Sequence, residues 1–109
     1  MATKHPLFGS AQRTATENSV GMDVRNYLTV DLYLDVTAFV SGTLDVTIES
    51  GPDNSTWFAF PTPVAFAQAV GTTTELLSLA GNLGAFIRGV ATMGGAPDMT
   101  FSLIAVAKA

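Results

Sequence analysis

Any chemistry in this chain has to come from carboxylates. Asp31, Asp35, Asp45 and Glu49 all fall on odd positions of residues 28–50, LTVDLYLDVTAFVSGTLDVTIES. On an extended backbone they share one face, so two of them could be set as general acid and base, or could hold a cation between Asp35 and Glu49. Other chemistries lack their parts. One histidine, His5, and no cysteine leave no donor set for a zinc site and no disulfide framework. No serine stands in a nucleophile elbow, and Gly94-Gly95 lacks the spacing and strand-to-helix setting of a phosphate loop. Asp53 and Asn54 fall in SGPDNST, which reads as a turn because the acidic spacing of a calcium loop is missing. A carboxylate pair also needs a walled cleft, and 109 residues of this composition offer little to build one. The chain is therefore expected to be no enzyme and to carry no catalytic residue, cofactor or metal. The acidic face is expected to be a solvated one.

The element that positions these acids is strand. Even positions 28–40 and then 44, 46 and 48 are apolar, whereas the odd ones are threonine, aspartate, tyrosine and glutamate with one exception, Phe39. This period of two marks a half-buried sheet; on a helix, Asp31 and Asp35 would fall on the stripe of Leu28. Ser41, Gly42 and Thr43 read as the odd loop of a β-hairpin, with Gly42 supplying a positive φ. That register sets Val36 opposite Ile48, Ala38 opposite Val46, Thr37 opposite Thr47, and Asp35 opposite Glu49 as a like-charge pair.

Composition narrows the class. Charged residues make up 13% of the chain against roughly 25% in ordinary soluble domains, while 48% is apolar. So few charges on so apolar a chain imply that other protein covers part of the surface. A net charge of −4 with five basic residues argues against a nucleic-acid-binding face. No apolar run approaches the ~20 residues of a membrane span, and MATKHPLFGS lacks the apolar core of a signal peptide, so the chain reads as made in the cytoplasm.

Residues 1–26 hold three of the five cations (Lys4, Arg13, Arg25) and little to bury beyond Leu7, Phe8, Val20 and Met22. They read either as an edge strand around residues 12–18 after a frayed terminus, or as an extended arm reaching a neighbouring subunit. Trp57, Phe58 and Phe60 form a short aromatic strand, with Trp57 placed in a core or between sheets. Pro61 and Pro63 make PTPV an edge or a connection. Residues 64–71 read as a loose crossing strand or loop, 73–79 as a strand, and 80–84 as a turn. Residues 85–92 form a strand whose Arg88 either pairs with an acid across the ladder, the favoured reading, or projects to a partner surface; 93–98 form a turn, and 99–107 a last strand that is apolar on both faces of its second half. Short strands between turn clusters give an all-β fold: a single antiparallel β-sandwich of roughly six to eight strands, jelly-roll or immunoglobulin-like, over residues 27–109, with an extended N-terminal arm over 1–26.

The order DLYLDVTAFVSGTLDVTIESGPDNSTWFAF, then TELLSLAGNLGAFIRGVATMGG, then FSLIAVAK, resembles small all-β virion proteins of tailed bacteriophages, among them capsid decoration or cement proteins. The resemblance covers residues 28–108. It implies a structural protein on the outside of an assembled capsid, tying major capsid subunits together, made in the host cytoplasm and located on the virion surface. Its partners are then the major capsid protein and further copies of itself, as a trimer or dimer, with neither nucleic acid nor membrane involved. Under this implication the arm is the candidate shell contact, through Lys4, His5, Leu7, Phe8 and Arg13. The last strand is the candidate subunit contact, through Phe101, Leu103, Ile104 and Val106. Two alternatives stand beside it. One is a tail or head-tail component. The other is a carbohydrate-binding sandwich, since SGPDNSTWF is similar to the Ser-x-Asp-Gly-x-Thr-Trp turn of discoidin-like modules with Asn54 in place of the glycine; such a module should expose Trp57, Tyr33 or Tyr27 together.

Overall fold

The period-two segments become strands, and two of them are much longer than the sequence suggests. The computed structural model describes residues 2–81 and 83–109. Among these the order is β1 (Ala2–Arg13), β2 (Glu17–Asn18), β3 (Met22–Asp23), β4 (Thr29–Gly51), β5 (Phe58–Ala65), β6 (Thr73–Ala80) and β7 (Phe86–Lys108). Every pairing is antiparallel and all seven strands belong to one sheet. No helix of the described residues is long and apolar enough to cross a membrane.

β4 and β7 each have 23 residues and pair with one another from Thr29↔Lys108 to Gly51↔Phe86. Straight, such a ribbon would be about 75 Å long. The longest dimension of the protein is 38 Å, so the ribbon must fold on itself. It does so where residues 41–43 of β4 meet 94–98 of β7: pairing jumps from Ser41↔Asp98 to Thr43↔Gly94, leaving residues 95–97 looped out. Gly42 has φ +95°, and a Cβ there would lie 2.5 Å from Pro97 Cα and 2.7 Å from the Gly94 carbonyl oxygen. Only glycine fits so close a crossing of two backbones. Ser41 Oγ donates to the Ala96 carbonyl at 2.7 Å, tying the corner shut.

Folding the ribbon makes two layers. The first runs β1, the second half of β7, the first half of β4, then β6. The second runs β2 and β3 in tandem, the first half of β7, the second half of β4, then β5. They meet face to face: a Cβ on Gly89 of the second layer would lie 2.9 Å from Leu103 Cδ2 and 3.1 Å from Phe8 Cε2 of the first. Between them lies one core containing Phe8, Val30, Leu32, Leu34, Leu44, Val46, Ile48, Ile87, Phe101 and Leu103. Phe8 and Phe101 pack edge to face, centroids 5.6 Å apart, a geometry that adds about 0.5–1.5 kcal/mol to their burial. The all-β antiparallel sandwich expected from the alternation is the fold adopted.

Local expectations need correction at three places. Residues 28–50 are not a hairpin, because residues 41–43 bend the ribbon without reversing the strand's partner. Val36 pairs with Phe101 and Ile48 with Gly89, whereas Asp35 lies opposite Ser102 and Thr74, and Glu49 opposite Arg88. The expected Asp35–Glu49 pair does not form. Register shifts around Thr37 and Val40 flip the side-chain parity twice, so Phe39 turns inward while Ala38 and Val40 turn out, and the even positions return to the core at Leu44. Residues 93–98 are the same corner seen on β7, not a turn between separate strands.

The third correction concerns residues 1–26, of which Met1 lies outside the described residues. The segment is extended, as expected, but β1 is stitched to β7 from Ala2↔Lys108 to Arg13↔Met99. Register shifts on both sides of Phe8 turn the consecutive Leu7 and Phe8 into the core together. PTPV is an edge, as expected: β5 skips from Ile48↔Val64 to Glu49↔Ala59, and Pro61 and Pro63 sit in the gap. The connection at 64–71 touches the sheet through an isolated Leu44↔Ala69 bridge. The turn at 80–84 includes Asn82, outside the described residues; Gly81 and Gly84 flank it with positive φ.

Candidate interaction surfaces

The four acids end on the outer faces of the sandwich, divided between the layers by the corner. Asp31 accepts from Lys108 Nζ at 2.6 Å and from Ser78 Oγ at 2.7 Å. The ammonium, then the hydroxyl, hold its carboxyl below the ordinary range, and Asp31 raises Lys108 in return. Asp45 accepts from Gln68 Nε2 at 3.0 Å. Glu49 accepts from Arg88 Nε at 2.8 Å and Nη2 at 2.7 Å, which is the cross-ladder ion pair expected for Arg88. Among the described residues no group of three or more His, Asp or Glu side chains converges as metal ligands do. Asp53 instead braces its own turn, accepting from the backbone N–H of Ser55 and Thr56, and these bonds lower its carboxyl.

Of the candidate shell contacts, only Lys4 presents its side chain freely. Leu7 and Phe8 are core. His5 pairs with Ala105 on the inward parity and its Nε2 is buried without a hydrogen bond. Arg13 is spent on the fold. Its Nη1 donates to the Phe101 carbonyl at 2.7 Å and the Ala11 carbonyl at 3.2 Å, and its Nη2 to the Gly9 carbonyl at 2.7 Å. The guanidinium also lies over the rings of Phe8 and Phe101, at 5.2 and 4.6 Å from their centroids. Gly9 falls in the gap between Phe8 and Ala11 where the pairing of β1 shifts, and a five-donor planar cation binds its carbonyl together with those of Ala11 and Phe101.

Of the candidate subunit contacts, Phe101 and Leu103 are fully buried, since the parity that runs Met99, Phe101, Leu103, Ala105 points into the sandwich. Ile104 and Val106 point outward. Register then assembles a surface that the sequence does not reveal. Leu76 of β6, Tyr33 of β4, Ile104 of β7 and Pro6 of β1 lie side by side across all four strands of the first layer. The next row is Ser78, Asp31, Val106 and Lys4. Leu76 is 56% and Tyr33 43% exposed, so this is an apolar stripe open to solvent and bordered by the Asp31–Lys108 pair. Lys4, Ile104 and Val106, drawn from the two candidate groups, share this one face. Leu76 went unsuggested because period two shows which residues share a strand's face but not which strands become neighbours.

Trp57 is not in the core. It is half-buried outside the second layer, with the Arg88 guanidinium 4.9 Å from its ring centroid. Tyr33 stands on the first layer and Tyr27 packs against the core, its hydroxyl donating to Thr3 Oγ1 at 3.1 Å. The three aromatics of a sugar platform are thus on different parts of the molecule.

No family model and no curated protein sequence matches the chain. Its fold is similar to the crystal structure of the SPBc2 prophage-derived protein YomS, with a TM-score of 0.64 at 12% sequence identity over 97% of this chain and 93% of that one.

Proposed function

We propose that the chain is a structural protein of a tailed bacteriophage that binds the outer surface of the assembled capsid and braces contacts between major capsid subunits. The observation that carries this reading is the fold shared, along nearly the whole chain, with a prophage-derived protein. The likeness to small virion proteins read in residues 28–108 points the same way. In this reading the chain catalyses nothing and needs no cofactor. Its working part is a broad, weakly charged sheet face, and weak contacts repeated over a shell add up through multivalency. The outer face of the first layer, with Lys4, Ile104 and Val106, takes the place of the free arm as the shell contact, and the protein ends on the virion surface.

The test is co-sedimentation of the purified protein with undecorated capsids, followed by imaging. Saturable binding at symmetry-related positions is expected, and Lys4→Glu with Val106→Asp should weaken it while the fold survives. Absence of saturable binding, with the isolated protein forming discrete rings, would overturn the decoration reading in favour of a tail or head-tail part.

A further inference from the structure

A sandwich made by folding one sheet has four lateral edges, and three of them are blocked. β1 is interrupted by two register shifts, carries Lys4 and Pro6, and has the Gly9 and Ala11 carbonyls taken by Arg13. β2 and β3 are two residues long each. β5 holds Pro61 and Pro63 within a break in its pairing. These are the devices by which sheet edges avoid further pairing.

β6 has none of them. It pairs with β4 over eight consecutive residues, Thr29↔Ala80 to Val36↔Thr73, without a register shift. Its sequence, TTELLSLA, contains no proline, lysine or arginine. Among the described residues, no turn, loop or side-chain hydrogen bond reaches its outer backbone groups. Its single charge, Glu75, points to the inner side, the one edge device of another kind that β6 carries, and it is already engaged by the Ala67 N–H at 3.0 Å. Three edges are thus blocked by strand breaks, prolines or cations, whereas the fourth is regular along its whole length.

We propose that the β6 edge pairs with β6 of a second copy, antiparallel about a twofold axis, joining the two first layers into one continuous sheet. Antiparallel pairing of identical strands is self-complementary, so each residue's partner is supplied by the same symmetry that closes the dimer. An axis through Leu76 sets the two Leu76 side chains against each other on the outer face. Each Glu75 then lies opposite Leu77 of the second copy and not opposite the second Glu75. The stripe Leu76–Tyr33–Ile104–Pro6 meets its mate end to end, so the two Leu76 side chains cover each other at the seam and the two stripes join into one longer apolar band on the outer face. Nothing in this pairing depends on which phage structure the protein serves, and its test uses the protein alone.

Sedimentation equilibrium of the full chain, the Leu76→Lys variant and the Val40→Lys variant tests it. Val40 lies at the corner and is 72% exposed, so it controls for adding a lysine elsewhere. The expected result is a dimer for the full chain and for Val40→Lys, with the dissociation constant of Leu76→Lys raised roughly tenfold or more by two ammonium groups facing each other. Amide hydrogen exchange supplies the second reading: alternate β6 amides should be slowed in the full chain and exchange freely in Leu76→Lys, while β4 amides remain protected in both. A monomer, or an oligomer indifferent to Leu76→Lys with its outer β6 amides unprotected, would overturn the proposal. So would β6 protection gained only on adding an unrelated extended peptide.

Discussion

The two layers share β4 and β7, yet they are built on opposite plans. The first has four strands of at least eight paired positions and carries much of the bulk of the core: Phe8, Leu32, Leu34, Met99, Phe101 and Leu103. The second is edged by fragments and a proline-broken strand, and opposite Phe8 and Leu103 it places Gly89, with Ala91 next on the same inward parity. Its Arg88–Glu49 pair and the Trp57 ring beneath Arg88 lie outside the core. A single alternating strand can thus serve two unequal layers. What separates them is which side chains are large and what flanks the shared ribbon, and one layer is thick where the other is thin.

Truncating the thick layer is the hardest blow to that contrast. Phe8→Ala removes a buried ring that the second layer is too sparse to replace, and should lower unfolding free energy in urea by about 3–5 kcal/mol. A loss below about 1 kcal/mol would return the N-terminal segment to the status of a loose arm. Thickening the thin layer comes next. Gly89→Val pushes into Leu103 and Phe8 and should cost about 1–3 kcal/mol, partly recovered when combined with Phe8→Leu. Additive losses would mean that the two layers do not fit against each other there. Arg13→Ala should cost about 1–2 kcal/mol by removing three bonds to carbonyls, one of them part-buried, and Arg13→Lys should not restore it, because an ammonium cannot span three carbonyls.

The smallest effect belongs to the edge of the second layer. Arg25 lowers the Asp23 carboxyl to about 2 from an ordinary 3.8, by its side-chain bond first and then by its backbone N–H. A folded-state value below the unfolded one gives stability that is present above about pH 4 and lost as pH falls through about 2. Urea midpoints measured from pH 5 to pH 2 should therefore fall less for Asp23→Asn than for the unaltered chain. Equal slopes would show that the exposed pair contributes nothing.

The alternation of residues 28–50 was legible because burial on one face imprints period two directly on the sequence. The hairpin expected there does not form, for a physical reason. Apolar residues on even positions both before and after Gly42 satisfy a reversed strand and a folded ribbon equally well. The deciding partner, residues 94–98 of β7, lies some fifty residues away. The pairing of Arg88 with an acid was readable in kind, since a cation in mid-strand needs a partner; that the acid is Glu49 follows only from the register. Residues 1–26 looked like an arm because an edge strand leaves most of its side chains wet. The one local sign against it was Leu7 beside Phe8, two consecutive apolar residues that a regular edge strand would point in opposite directions.

The β4–β7 ribbon also fixes when the protein can exist. β1, β2 and β3 pair only with β7, and β4, although β5 and β6 can line one of its sides earlier, waits for β7 along the other, with Thr29 meeting Lys108 at its end. During synthesis the first eighty-five residues therefore emerge with β1, β2, β3 and one side of β4 unanswered, and contacts this distant in sequence close slowly. Ribosome-bound chains arrested before residue 99 should remain open to protease, becoming resistant only once residues 99–108 are clear of the ribosome and paired. For a protein whose open strand edges invite pairing, the interval between synthesis and closure is the moment of greatest exposure to the wrong neighbour.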